Sequence, residues 1–373
     1  MDIGLWISDV QCTTSNVHKS KHLVNMKKLL LLLPFGLLLS ACSNDFEVTA
    51  PWKEIPVVYG ILSPLDPFLS PKDTAFYIRV EKAFIDPERS ALEIAQIADS
   101  LYYPENAITV WLERADDQTR IQMKRVDGAL EGYPRDAGVF AGQPNWLYKA
   151  KPTGGFNIDA GKTYRLVIER ADGKPDVTAE TTVPKDFFVT SPNPNDNKIG
   201  FFGRATTKIR WNTDVNGAFF NVTLVVRINE KIEPNGAALS TETLIWEAVK
   251  NVELDVNNSP TLYTATADMT GTSFYNFLAK NLQKLPPGRI RQFKNVDIII
   301  EGGGREIKEY LETAQANLGL TGAETYPNYT NISEGYGIFT AKNRSVLTDV
   351  KVVPLTIDSM NKSSIVDTLG FVK

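Results

Sequence analysis

The sequence predicts a mainly β protein, with an N-terminal immunoglobulin-like β-sandwich followed by a second β-rich domain carrying two or more helices. Three observations predict this class. Apolar residues recur with period two in both halves, the mark of strands with one face in a core and one in water. Asp-Gly and Asn-Gly pairs fall between such runs and supply the positive φ of tight turns. The 373 residues are 43% hydrophobic and 23% charged, which is enough apolar side chain to build cores without disulfides.

Ile55–Leu62 is rich in β-branched and aromatic residues and reads as the first strand. Thr74–Ile85 alternates through Phe76, Ile78 and Val80. Ala107–Arg114, Arg120–Val126, Tyr164–Arg170 and Val177–Val183 repeat the pattern. Asp172-Gly173 is placed to turn between the last two, and Asp127-Gly128 has a similar role. Ser90–Tyr102 is expected to be one inserted helix, with Leu92, Ala95, Ile97 and Leu101 near helical spacing and Pro104 beyond its end. The segment Ser191–Asn197 is turn-forming and divides a first domain, 54–190, from a second, 191–373. Its Asn and Asp side chains lack the acidic-and-glycine spacing of a calcium loop.

In the second domain Thr206–Trp211 and Ala218–Ile228 read as a hairpin joined at Asn216-Gly217. Leu244–Val249 and Leu262–Ala267 are further strands, and Ser273–Leu282 is a helix ending before Pro286-Pro287. Val296–Ile300 is a short buried strand, followed by Gly302-Gly303-Gly304 and an amphipathic helix over Ile307–Leu318. The glycines match neither the dinucleotide fingerprint nor the P-loop. They are expected to form a flexible turn rather than an anion cradle.

The N-terminus reads as an address. Met26-Lys27-Lys28 precedes an apolar run from Leu29 to Leu39, shorter than the roughly twenty residues a membrane span needs. Leu39-Ser40-Ala41-Cys42 resembles a bacterial lipobox, with Cys42 as the lipidated residue and residues 26–41 as the signal peptide. Residues 1–25 read as an upstream extension, with Met26 the initiator, and 42–53 as a lipidated tether. Two acyl chains hold a protein stably at a membrane where one does so marginally. The acidic stretch Ser43–Glu47 suits a solvated tether, and equally resembles a surface-export signal.

Processing before Cys42 removes His18, His22 and Cys12. The remaining chain then has no imidazole and no free thiol for nucleophilic catalysis. Zinc, haem and iron–sulfur ligation by those residues are excluded too. No cofactor and no metal site are expected. A carboxylate-based hydrolase would survive this exclusion, but no Asp or Glu pair is marked out. The formal charge of −4 and the lack of a basic block argue against a nucleic-acid partner.

Near the C-terminus, Tyr329-Thr330-Asn331-Ile332-Ser333-Glu334-Gly335-Tyr336-Gly337-Ile338-Phe339 carries a Tyr-x-Asn-Ile-x-x-Gly-x-Gly-x-Phe pattern. With Val57-Val58-Tyr59-Gly60, Gly161–Ile168 and Val183-Pro184, it resembles an uncharacterised Bacteroidota outer-membrane lipoprotein family. The helix at Ser90–Tyr102 departs from that pattern. The resemblance implies lipoproteins often encoded beside TonB-dependent transporters, and it implies no catalytic residues. From the residues themselves, Gly335 and Gly337 are expected to permit a tight start to a strand, and Asn331 to bond its own backbone in an Asx-turn.

Trp111, Trp211 and Trp246 lie on expected strands, where core packing is the default. Tyr133, Phe140, Trp146 and Tyr148 gather around a Gly- and Pro-containing loop. They either pin that loop or bind a ligand, and they are the candidate binding residues. The expected function is a non-catalytic outer-membrane lipoprotein, lipid-anchored on the periplasmic or cell-surface face. It would be an accessory or binding subunit of an envelope complex such as a TonB-dependent transporter. The alternatives are a surface adhesin or glycan-binding module, and the carboxylate hydrolase.

Overall fold

The computed structural model describes residues 54–64, 75–83, 89–152, 155–254, 263–317 and 329–373. The leader, Cys42 and the tether lie outside the described residues. The chain is mainly β. The first half runs β1 (Ile55–Leu62), β2 (Phe76–Ala83), the short helices α1 (Ala91–Ala95) and α2 (Ala98–Leu101), β3 (Ile108–Arg114), β4 (Arg120–Asp127), β5 (Trp146–Ala150), β6 (Thr163–Arg170) and β7 (Val177–Thr182). The second half runs β8 (Phe188–Ser191), β9 (Lys198–Ile199), β10 (Thr206–Thr213), β11 (Phe219–Lys231), β12 (Ser240–Glu253), β13 (Tyr263–Thr270), α3 (Gly271–Asn281), β14 (Ile290–Gly303), α4 (Arg305–Asn317), β15 (Tyr336–Val352) and α5 (Pro354–Met360).

One hydrogen-bonded path joins β12-β11-β14-β15-β1-β2-β5-β4-β3-β6-β7, and a second sheet runs β13-β10-β8. Strand β15 serves both halves. Its residues Tyr336–Ala341 pair in parallel with β1, and Lys342–Val350 pair antiparallel with β14.

The first core gathers the inward residues of the alternating strands. Val58 and Ile78 meet Val110, Leu166 and Ile168, and Phe339 and Ala341 of β15 complete the cluster. Tyr164, at the start of β6, donates its hydroxyl to the Asn157 carbonyl (2.7 Å) and accepts from the Asp159 N–H (2.8 Å). This is the tyrosine corner of immunoglobulin-type sandwiches. The second core packs Ile209 and Trp211 of β10 and Ala265 and Ala267 of β13 against Phe220, Val222 and Leu224 of β11 and Ile298 of β14. Trp211 is fully buried and meets Phe220 edge-on at 5.2 Å. Trp246 is partly buried and stacks on Phe277 of α3 at 5.3 Å. Trp111 is not in either core. It lies on the outer face of β3, with the Arg120 guanidinium 4.2 Å from its ring centroid.

Several sequence expectations are corrected. Strands β10 and β11 do not form a hairpin. They lie in different sheets, and the Asn216-Gly217 turn carries the chain across the second core. Both strands alternate because both face that core, from opposite sides. The strand expected at Val296–Ile300 runs from Ile290 to Gly303, so Gly302 and Gly303 belong to it rather than to a turn. A Cβ on Gly302 would sit 2.5 Å from the Phe220 ring, and one on Gly303 would sit 2.4 Å from Phe219. Those glycines leave room for aromatic rings on the neighbouring strand. The single helix expected at Ser90–Tyr102 is two short ones. Ser90 and Glu93 form a capping box that starts α1. Contacts with the loop 128–145 end it, because Gln96 Nε2 bonds the Val139 carbonyl and the Ala95 carbonyl accepts from the Ala141 N–H.

The C-terminal motif closes the seam between β7 and β15. Asn331 does not make an Asx-turn. Its Oδ1 accepts from the Phe339 N–H (2.9 Å), while its Nδ2 donates to the carbonyls of Phe339 (2.6 Å) and Glu180 (3.2 Å). One side chain thereby mimics a strand residue for β15 and reaches β7. The Ser333 N–H donates to the Thr178 carbonyl, and Ser333 Oγ accepts from the Thr178 N–H.

Asp172 turns the chain between β6 and β7. Its carboxylate takes a hydrogen bond from the Lys174 backbone N–H, contacts Lys174 Nζ at 2.9 Å and takes Arg170 Nη2 at 3.0 Å. Lys174, and then Arg170, hold its carboxyl well below the usual carboxylate range. A depressed carboxylate contributes stability above its unfolded pKa near ~4, and that contribution is lost as pH falls below it. The thermal midpoint is therefore expected to drop between about pH 5 and pH 2. In Asp172→Asn the drop should be shallower. Parallel acid profiles for the two proteins would show no Asp172 contribution.

Candidate functional site

The loop 128–145 between β4 and β5 and the helices α1 and α2 form one surface feature. The base of the loop is closed by Asp127, whose Oδ1 accepts from the Ala129 N–H (3.0 Å) and the Asn145 N–H (3.3 Å). Asn145, buried, donates Nδ2 to the Tyr133 carbonyl at 2.7 Å. Glu131 accepts from Tyr77 Oη (3.1 Å) and pairs with Lys149, which holds its carboxyl below the ordinary range and raises the lysine in turn. In the middle of the loop, Arg135 donates Nη2 to Glu81 (2.9 Å) and Nη1 to Tyr102 Oη (3.1 Å), with its guanidinium 4.8 Å from the Phe140 ring centroid. Glu81 also takes Arg79 at 3.0 Å. The loop is thus tied to the sandwich by a buried carboxylate shared between two arginines.

The four candidate aromatics take different places on this frame. Tyr133 tilts against Tyr77 at 4.8 Å and is exposed. Phe140 is 48% exposed. Trp146, half-buried, lies under the Arg125 guanidinium at 4.3 Å and packs against Leu101, Tyr102 and Ala141. Tyr148 belongs to the first core and is 7% exposed, so it presents little surface.

Two further features had no local signal in the sequence. The first is apolar. Leu92 is 64% exposed and Ile97 40%, while Ile94 and Leu101 take the buried side of the two helices. Val139 is 50% exposed, and its carbonyl accepts from Gln96, the residue next to Ile97. With Phe140, these side chains form an apolar rim on two segments bonded to each other. Leu130 and Tyr133 expose more apolar surface on the same loop. The second feature is a cleft of about 780 Å³ beside the rim. Asp99, Tyr102, Pro104, Glu105, Arg125 and Trp146 are among its walls. Burial pushes up the pKa of the Tyr102 hydroxyl, against the pull of Arg135.

Among the described residues, no group of three or more Cys, His, Asp or Glu side chains is placed to hold a metal ion. None of the described helices is long and apolar enough to cross a membrane.

The fold and this surface define a mainly β protein whose first unit is an immunoglobulin-like sandwich. The chain belongs to the family described as Domain of unknown function (DUF4249), which matches residues 94–347, more than half of its length. That span takes in Ile97, Val139 and Phe140 of the rim, the cleft and the C-terminal motif. No curated protein matches the chain. Among solved structures, an I-band fragment of titin is similar at 8% identity, with a TM-score of 0.18. The similarity covers 81% of this chain and 65% of that fragment.

Proposed function

We propose that the protein is a non-catalytic, lipid-anchored outer-membrane lipoprotein that works as a docking subunit of an envelope complex such as a TonB-dependent transporter. The observation that carries this reading is the apolar rim of Leu92, Ile97, Val139 and Phe140. Four large apolar side chains clustered on two mutually bonded segments mark an interaction surface far better than scattered single ones do. Attachment at Cys42 would hold that surface close to membrane-embedded partners and raise its effective concentration there.

The test is recovery of partners from outer membranes extracted in mild detergent, with the lipoprotein tagged at its C-terminus. Stoichiometric recovery of a transporter barrel is expected. Leu92→Asp combined with Phe140→Asp should lower that recovery by at least roughly tenfold, since burying uncompensated carboxylates at an interface costs more than about 1.4 kcal/mol. Ile245→Asp, at an exposed position on β12, should leave recovery unchanged. Recovery of the lipoprotein alone, in good yield and after crosslinking, would end this reading.

A further inference from the structure

The cleft beside the rim holds three charged groups that do not neutralise one another. Arg125, Asp99 and Glu105 all border it, and none makes an ion pair with the described residues. Half-buried guanidinium groups elsewhere in the sandwich do find carboxylates. Arg135 pairs with Glu81, and Arg170 pairs with Glu54 and Asp172. Arg125 instead lies over the Trp146 ring, 4.3 Å from its centroid, and gives one N–H, from Nη1, to the Tyr103 carbonyl at 3.1 Å. Those two contacts hold the guanidinium in place and leave most of its five donors unassigned to protein. A planar fork held in place is suited to bidentate pairing with a carboxylate, and it loses little entropy on binding.

Asp99 and Glu105 are exposed acceptors that line the same cleft, and carboxylates accept readily from hydroxyls. Pro104, Pro144 and Trp146 supply apolar surface to the same cleft. Arg125 covers one face of Trp146 and the side chain also packs against Leu101, Tyr102 and Ala141, so the cleft does not offer an open ring for a neutral sugar to stack on. Its volume of about 780 Å³ falls in the range of small-ligand sites. We infer that this cleft binds an acidic saccharide of the uronate type. The sugar carboxylate would meet Arg125, its hydroxyls would meet Asp99 and Glu105, and its apolar ring face would meet Pro104 and Pro144. This site is separate from the docking reading, which rests on other side chains.

The experiment is titration calorimetry on the full chain in detergent, with digalacturonate as the probe. Maltose serves as a neutral disaccharide and propionate as a bare carboxylate. Digalacturonate is expected to bind with a Kd of about 1 mM or tighter, the scale for one charged contact and a few hydroxyl bonds. Maltose and propionate should each bind at least roughly tenfold more weakly. Arg125→Gln should weaken digalacturonate by roughly thirtyfold or more, as expected when one partner of a charge-assisted pair is removed. Asp99→Asn, at an exposed position, should weaken it a few-fold without changing the thermal midpoint, which keeps the test valid if Arg125→Gln unfolds. No binding at about 10 mM digalacturonate would overturn the inference. So would equal affinity for maltose or propionate, or full affinity in both variants. None of these results bears on partner recovery through the rim.

Discussion

Replacing Gly337 with alanine is expected to cost more than about 4 kcal/mol, enough to leave most of the chain unfolded or aggregated. Gly337 has φ +108°, a conformation that side-chain-bearing residues rarely adopt. A Cβ there would also sit 1.9 Å from the Val58 carbonyl oxygen. That oxygen belongs to β1, whose parallel register with β15 pairs Val58 with Gly337 itself. The obstacle is backbone, so no rotamer change relieves it. Either the parallel pairing breaks at its start or β1 moves away from its core. Gly132 gives the contrast. Its φ is +92°, but nothing lies within 4 Å of a Cβ placed there. Gly132→Ala should therefore lose only the conformational term, about 1 kcal/mol. Denaturant titrations of the two variants would separate the two causes. Similar midpoints for both would mean that the Val58 contact does not limit the fold.

Much of the sandwich is legible from residue order alone, because period two reports which face of a strand is buried. Ile55–Leu62 is a strand over that whole span, and the Gly161-Lys162-Thr163-Tyr164 run leads into a tyrosine corner. Period two does not report which strand lies alongside. The pairing of β1 with β15 joins the two ends of the described chain, and no local pattern could announce it. The same limit produced the false hairpin at Asn216-Gly217. Gly302 and Gly303 read as a turn because their reason for being glycine, the rings of Phe219 and Phe220, lies on another strand.

The candidate site divides along the same line. Its aromatics stood out because Tyr133, Phe140 and Trp146 are uncommon in a Gly- and Pro-containing loop. Its charged groups did not, since Arg125 and Asp99 are ordinary surface residue types with no spacing between them that means anything. Only the folding of α2 against β4 and β5 brings them to one cleft. The two helices misled for a related reason. Leu92 and Ile97 fit a helical period, yet the chain breaks at Gln96, Ile94 and Leu101 go inside, and Leu92 and Ile97 are left exposed.

Glu81 decides whether the rim exists as a defined surface. It is 7% exposed and lies between Arg79 and Arg135, and Arg135 in turn bonds Tyr102 and covers Phe140. Removing one member of a buried ion network leaves its partners uncompensated, which typically costs about 3–5 kcal/mol. Glu81→Ala is expected to lower stability by about 3 kcal/mol, toward the smaller end because Arg79 retains access to water. Glu81→Gln keeps the shape and some hydrogen bonding, so its loss should be smaller. The more telling effect is local. With Arg135 released, the loop 128–145 loses its link to the buried Glu81 and keeps its closed base at Asp127 and Asn145, the Glu131–Lys149 pair and the bonds of Val139 and Ala141 to α1 and Gln96. Amide hydrogen exchange should then quicken through the loop and across α1 and α2, while the base at Gly128 and the β6–β7 ladder stay protected. Partner recovery should fall in step, because an apolar rim that is no longer held in one arrangement must be ordered at the moment of docking. Unchanged exchange in 128–145 for both variants would show that the loop is held by its base and its apolar contacts, and that Glu81 serves the sandwich alone.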